Sequence, residues 1–312
     1  LYSFEDIIGN SKEIRNVKEL AMKVCNSKSP IFVYGDTGTG KELIVQAIHN
    51  SSIRRKKPFI AQNCAAIPDN LLESIFFGVG KGSFTGAIES EGLFDIANGG
   101  TLYLDELNSM DIVFQGKFLR VLQEGEFRRI GETNTRKTDI RIIASVNENP
   151  DFLVKSNKLR KDLYYRLNVI RINMPELNAR KEDIPILVSM FIEKHNKRLG
   201  TSVNGIDSYA LEVLMKKDYD GNVRELEHII EGALNYKRHG IIEISDLQLG
   251  NITESLSLKD KLVNMEIKYI KEALIINSNN VSKASKFLNI PRQTLQYKIT
   301  KYNIMDLIDK DK

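Results

Sequence analysis

Residues 30–42 read PIFVYGDTGTGKE. The first five form a short apolar run that suits a strand buried on both faces. Gly35, Asp36, Thr37, Gly38, Thr39 and Gly40 follow, and the glycines let the backbone curl so that successive N–H groups point inward at phosphate oxygens. Lys41 and Glu42 open a helix-like run whose N-terminal dipole and lysine ammonium complete an anion cradle. Strand, glycine loop and helix in that order predict a nucleotide site in an α/β fold. One position departs from the usual pattern. The Ser or Thr that normally follows the lysine and binds magnesium is Glu42 here, so Mg²⁺ must lean on water, phosphates and an acid from elsewhere.

That acid comes from GGTLYLDE, residues 99–106. Asp105 leaves the end of a buried strand where it can orient hydrated Mg²⁺, and Glu106 beside it is placed to polarise an attacking water. Residues 30–34, 59–63, 101–104 and 140–145 read as strands, with helices at 42–49, 70–76 and 114–124. The alternation predicts a parallel sheet with covering helices over residues 1–170. Helical periodicity at 184–199, 208–216 and 223–236 predicts an all-α lid over 171–243, a polar stretch at 244–258 suits a linker, and 259–312 turns helical again. The fold class expected is α/β, a P-loop parallel sheet with a helical lid, followed by an all-α helix–turn–helix domain.

The 312 residues are 42% hydrophobic and 28% charged, the balance of a soluble globular chain. No apolar run reaches a membrane span, and no secretory signal opens the chain, so a cytoplasmic protein without membrane contact is expected. Two cysteines and four histidines show no disulfide or metal spacing. The first residue is Leu, which suggests a fragment preceded by further sequence. From Leu258 onward eleven Lys/Arg face six Asp/Glu, a net +5, whereas the whole chain carries +4. A basic tail on a near-neutral body suggests a polyanion partner.

Residues 280–304, NVSKASKFLNIPRQTLQYKITKYNI, read as helix–turn–helix. Asn289 suits a left-handed turn and Pro291 the first turn of the second helix. Leu295 and Ile299 bury one face of that helix, which leaves Arg292, Gln293, Thr294, Gln296, Tyr297, Lys298 and Lys301 facing outward. Arg and Gln pair with base edges, while Thr and Lys hold phosphates, so double-stranded DNA is the expected partner.

Between the two nucleotide motifs lies GSFTGA, residues 82–87. Its glycines allow a tight tip, and Phe84 there would be an exposed aromatic that a monomer has no use for. This loop inside this frame resembles the bacterial activators of sigma-54 RNA polymerase, the enhancer-binding proteins of the AAA+ class. The resemblance covers residues 3–306, including a Fis-type C-terminal domain. It implies that Gly82, Ser83, Phe84, Thr85, Gly86 and Ala87 touch sigma-54 in the RNA polymerase holoenzyme; Ser83 stands where Ala is commoner. It implies that Asn63 holds the catalytic glutamate, Asn147 senses the γ-phosphate, Arg224 contacts nucleotide from the lid, and Ile8 with Gly9 cradles adenine. Arg160 and Arg166 resemble residues that reach across a subunit boundary, and both remain candidates for the finger. An arginine shared in this way implies a homo-oligomeric ring, expected as a hexamer, with the DNA-binding modules dimeric through the helix that precedes them. The family usually shows a Leu-Arg-Glu-Arg run where this chain has Leu177, Asn178, Ala179 and Arg180, which puts the role of the missing arginine in doubt.

The function implied is an ATP-dependent activator that binds upstream DNA and drives sigma-54 closed complexes open. An AAA+ remodeller of another target, and a DNA-binding regulator that uses ATP only as an assembly switch, stay open at this level.

Overall fold

The strand expected at residues 30–34 forms as β1 (Ile31–Tyr34), hydrogen-bonded in parallel to β8 (Arg141–Val146) on one side and β9 (Ile170–Asn173) on the other. Beyond β8 lie β5 (Thr101–Asp105) and β2 (Phe59–Asn63), giving a five-stranded sheet in the order β2-β5-β8-β1-β9 with every pair parallel. The computed structural model describes residues 1–81, 88–249, 258–302 and 304. They fall into two units, Leu1–Ile242 and Glu243–Lys312.

Both faces of the sheet are covered, which is why its strands read as unbroken apolar runs. Phe32, Leu102, Leu104, Ala144 and Val146 pack under α3 (Asp69–Phe77), α5 (Ile112–Glu124) and α7 (Lys161–Leu167). Ile31, Val33, Tyr103 and Ile143 face α1 (Lys12–Val24) and α2 (Lys41–Asn50). Asp111 caps α5 by accepting from Val113 N and Phe114 N, and Gly125 ends it at φ +68°. Short helices at α4 (Leu93–Ile96) and α6 (Pro150–Lys155) fill the crossovers.

Two small two-stranded ladders lie outside the main sheet. β3 (Gly78–Val79) pairs antiparallel with β4 (Ser90–Glu91), and β6 (Glu126–Phe127) with β7 (Arg136–Lys137). The GSFTGA stretch itself lies outside the described residues.

Helices α8 (Ile184–Leu199), α9 (Ser208–Lys216) and α10 (Asn222–Tyr236) make the lid. Two expectations need correction. The α/β part runs at least to Asn173, past the expected boundary at 170, because β9 is the sheet's edge strand. Its alternating, half-exposed residues give a weak sequence signal, and only its pairing with β1 reveals it. The lid is also not wholly helical, since β10 (Ser202–Ile206) and β11 (His239–Ile242) pair in parallel.

In the second unit α11 (Leu258–Ile276), α12 (Val281–Phe287) and α13 (Arg292–Lys301) enclose Ile270, Ala273, Leu274, Ala284, Leu295, Ile299 and Ile304. Asn280 caps α12, and Asn289 takes the left-handed turn at φ +52°.

Candidate functional site

The glycine loop joins β1 to α2 at the carboxyl end of the sheet, where the strand order reverses around β1. Gly38 has φ +80°, and a Cβ there would stand 2.2 Å from Gly221 O. No side chain fits that approach, so the lid comes close only because the residue is glycine. Lys41 is buried and donates from Nζ to Gly35 O at 2.6 Å and Asp36 O at 3.1 Å, acceptors it can exchange for phosphate oxygens. Burial lowers the pKa of its ammonium, Asp105, Glu106 and Asp36 work to raise it, and Arg224 adds to the lowering.

Asp105 is the last residue of β5, and Glu106 follows at φ +52°, a left-handed conformation in a non-glycine residue. Three donors converge on Asp105 Oδ1: Ser145 Oγ–H, Tyr103 O–H at 3.0 Å and Glu106 N–H at 3.1 Å. Lys41, Asp105, Glu106 and Arg224 line one cleft of about 800 Å³, which Ile8, Phe191 and Thr37–Leu43 also border. The tight glycine approach, the buried ammonium and the acid pair together fit a triphosphate with magnesium. On that fit Asp105 and the phosphates would hold the metal.

The lid grips the loop through the first turn of α10. Asn222, at φ +53°, donates from Nδ2 to Thr37 O at 3.1 Å and accepts from Leu177 N at 2.8 Å, and Val223 N donates to Gly38 O at 3.1 Å. Arg224 follows immediately on that turn.

A second link escaped the sequence reading. Asp183, fully buried, accepts from Asn10 N at 2.6 Å, Ser11 N at 2.8 Å and Ser11 Oγ at 2.6 Å. Arg180, also buried, lies 3.9 Å from Asp183 and donates to Thr39 O at 3.3 Å. These bonds tie the segment after Ile8 and Gly9 to the lid and the loop. Gly9 has φ +146°, and a Cβ there would meet Asp183 Oδ2 at 2.8 Å. Asn178 holds the backbone of Tyr219, accepting from its N–H at 2.9 Å and donating to its carbonyl at 3.4 Å.

The remaining candidates are placed as follows. Asn63 stands opposite Asp105 in the β2–β5 register, but its Oδ1 accepts from Ala65 N at 2.8 Å, and among the described residues it makes no bond to Glu106. Asn147 follows β8 beside the start of the loop, and its buried Oδ1 has no hydrogen-bond partner among the described residues. Arg160 precedes α7 and pairs with Asp162 at 2.8 Å, whereas Arg166, in the last turn of α7, donates to Leu122 O at 3.2 Å. Near the flanks of residues 82–87, the buried Arg129 guanidinium joins Asp95 at 2.9 Å and Glu89 at 3.3 Å.

On α13, Arg292, Gln293, Thr294, Gln296, Tyr297 and Lys301 are exposed. Lys298 is not free in the same way. It is half-buried and paired with Glu266 of α11, whose other oxygen accepts from Tyr302 O–H at 3.1 Å. Periodicity placed Lys298 outward, but it could not show that α11 brings a carboxylate to that side.

Fold and cleft together define a P-loop nucleotide-binding protein with a separate helix–turn–helix unit. Profiles of known families agree: a sigma-54 interaction domain matches residues 7–173, an AAA+ ATPase lid domain residues 178–261, and the Fis family of bacterial regulatory proteins residues 261–302. The chain belongs to the family of sigma-54-dependent transcriptional activators. It is 43% identical to the transcriptional activator RocR of Bacillus subtilis over 97% of this chain and 69% of that one. It is 38% identical to the phenol regulator MopR of Acinetobacter guillouiae, over 97% of this chain and 57% of that one. The regulatory protein AtoC of Escherichia coli is 40% identical over 96% of this chain and 68% of its own length. Among solved structures, NtrX from Brucella abortus in complex with ATP superposes with a TM-score of 0.72 at 29% identity, covering 95% of this chain and 69% of that one. No helix among the described residues is long and apolar enough to cross a membrane.

Proposed function

We propose that this chain hydrolyses ATP in the cleft and uses the cycle to remodel the closed complex of sigma-54 RNA polymerase holoenzyme into the open one. The reading is carried by one observation: Lys41 of the glycine loop, Asp105 and Glu106 at the end of β5, and Arg224 of the lid line the same cleft. Loop amides and Lys41 hold the β- and γ-phosphates, Glu106 polarises the attacking water, and Arg224 reports nucleotide to the lid. Magnesium, when bound, neutralises charge on the phosphates. Arg160 and Arg166 act across the boundary of a closed ring, a hexamer, where such a guanidinium is worth ~10³–10⁵ in rate. Residues 82–87 contact sigma-54, and α13 holds the ring to upstream DNA.

Turnover and sigma-54 capture measured side by side test this. ATPase activity per subunit should rise with protein concentration as the ring assembles, and sigma-54 should be retained only with ADP and aluminium fluoride. Glu106→Gln should keep nucleotide binding and lose at least ~100-fold in turnover. Normal hydrolysis by that variant would remove Glu106 as the base, and no capture of sigma-54 in any nucleotide state would remove the partner.

A further inference from the structure

Asp105 is aimed by its neighbours, and two of them are side chains to which the cleft chemistry above gives no role. Tyr103 and Asp105 sit two residues apart on one face of β5, and β8, paired with Leu104 opposite Ala144, brings Ser145 alongside. Tyr103 O–H donates to Asp105 Oδ1 at 3.0 Å, Ser145 Oγ–H donates to the same Oδ1, and the two hydroxyl oxygens lie 3.0 Å apart. The triangle closes on one oxygen. Among the described residues none bonds Oδ2.

Bulk water does not reach either hydroxyl, since Tyr103 is 2% exposed and Ser145 fully buried. Phe and Ala would fill the same space between the sheet and its helices. Packing alone therefore does not call for two hydroxyls here, whereas a carboxylate pinned at one oxygen presents the other in a fixed direction. The demand on Asp105 is raised by Glu42, which replaces a metal-binding hydroxyl and whose Oε1 is taken by Gln46 Nε2 at 2.9 Å, one turn along α2.

We propose that Tyr103 and Ser145 are positioning residues that lock Asp105 through Oδ1 and so direct Oδ2 toward the magnesium that accompanies the nucleotide. The proposal rests on the reading of the cleft as an ATP site.

The test uses the full chain saturated with ADP and Mn²⁺ as the probe, with bound metal read by electron paramagnetic resonance. Tyr103→Phe and Ser145→Ala should each weaken Mn²⁺ binding about 10-fold, and the double variant up to about 100-fold. ADP affinity in EDTA should stay unchanged, and Ser145→Thr, which keeps a hydroxyl, should retain most of the Mn²⁺ affinity. Each substitution removes only a hydroxyl and is read separately, so a variant that fails to fold leaves the other as the test. The proposal falls if the variants bind Mn²⁺ as tightly as the unaltered protein. It also falls if their ADP affinity in EDTA drops in parallel, the mark of a merely structural role. Should the unaltered protein show no ADP-dependent Mn²⁺ signal, the reading of the cleft fails and this proposal with it.

Discussion

Asp183 carries an unusual share of the geometry for one side chain. Its carboxylate satisfies two backbone amides and the Ser11 hydroxyl at the start of α1, and it faces the guanidinium of Arg180. Both groups are buried, so the Coulomb attraction is partly spent on desolvation, and burial lowers the pKa of Arg180 while Asp183 works to raise it. Removing one partner leaves the other charge stranded. Asp183→Ala should therefore cost ~3–5 kcal/mol in stability, read as a drop in the denaturant midpoint at unchanged slope. A variant within ~1 kcal/mol of the unaltered protein would mean that water already serves these groups.

At the scale of elements, the first turn of α10 does two jobs: it starts a lid helix and it clamps the glycine loop. Asn222 suits both, because asparagine tolerates a positive φ and its amide spans Thr37 O and Leu177 N. Asn222→Ala loses one buried and one partly buried hydrogen bond and strains the backbone, about 2–4 kcal/mol together, and nucleotide affinity should fall with it. Isothermal titration with ADP, alongside thermal melts, separates the two effects. On α13 the pairing of Lys298 with Glu266 gives a contrast between neighbouring lysines. Lys301→Ala should reduce the slope of log affinity for DNA against log salt by about 1, because its exposed ammonium, over the Tyr297 and Tyr302 rings and paired with no carboxylate among the described residues, can displace counterions. Lys298→Ala should leave that slope nearly unchanged. Equal slopes for the two variants would mean that Glu266 releases its lysine on DNA.

For the whole molecule, two buried histidines set a limit on the acid side. Burial lowers the pKa of His49, further depressed by Arg141, and burial likewise lowers that of His195, where Glu231 and Glu227 oppose the shift. The unfolded chain accepts a proton near 6.5, whereas the folded chain resists it until lower pH. More protons bound in the unfolded state means stability is lost as pH falls through 6.5 and is unaffected well above it. Melting temperature should drop between pH 7.5 and 5.5, with a shallower slope for His195→Gln. A flat profile would show that the folded protein accommodates both imidazolium ions.

The sequence by itself determined the local elements and the residues whose chemistry is local. GDTGTGKE between an apolar strand and a helix, LYLDE at a strand end, and the spacing of Leu295 and Ile299 on α13 each act within a few residues, so periodicity and backbone freedom suffice to read them. The tertiary structure alone decided what meets across the chain. β9 is half-exposed at the sheet edge, so its pattern is faint until β1 pairs with it. Asp183, Arg180, Asn222 and Ser145 look like ordinary polar residues in sequence. Their roles arise from partners in distant segments, and no local propensity encodes a bond that exists only once the sheet and the lid have closed around the loop.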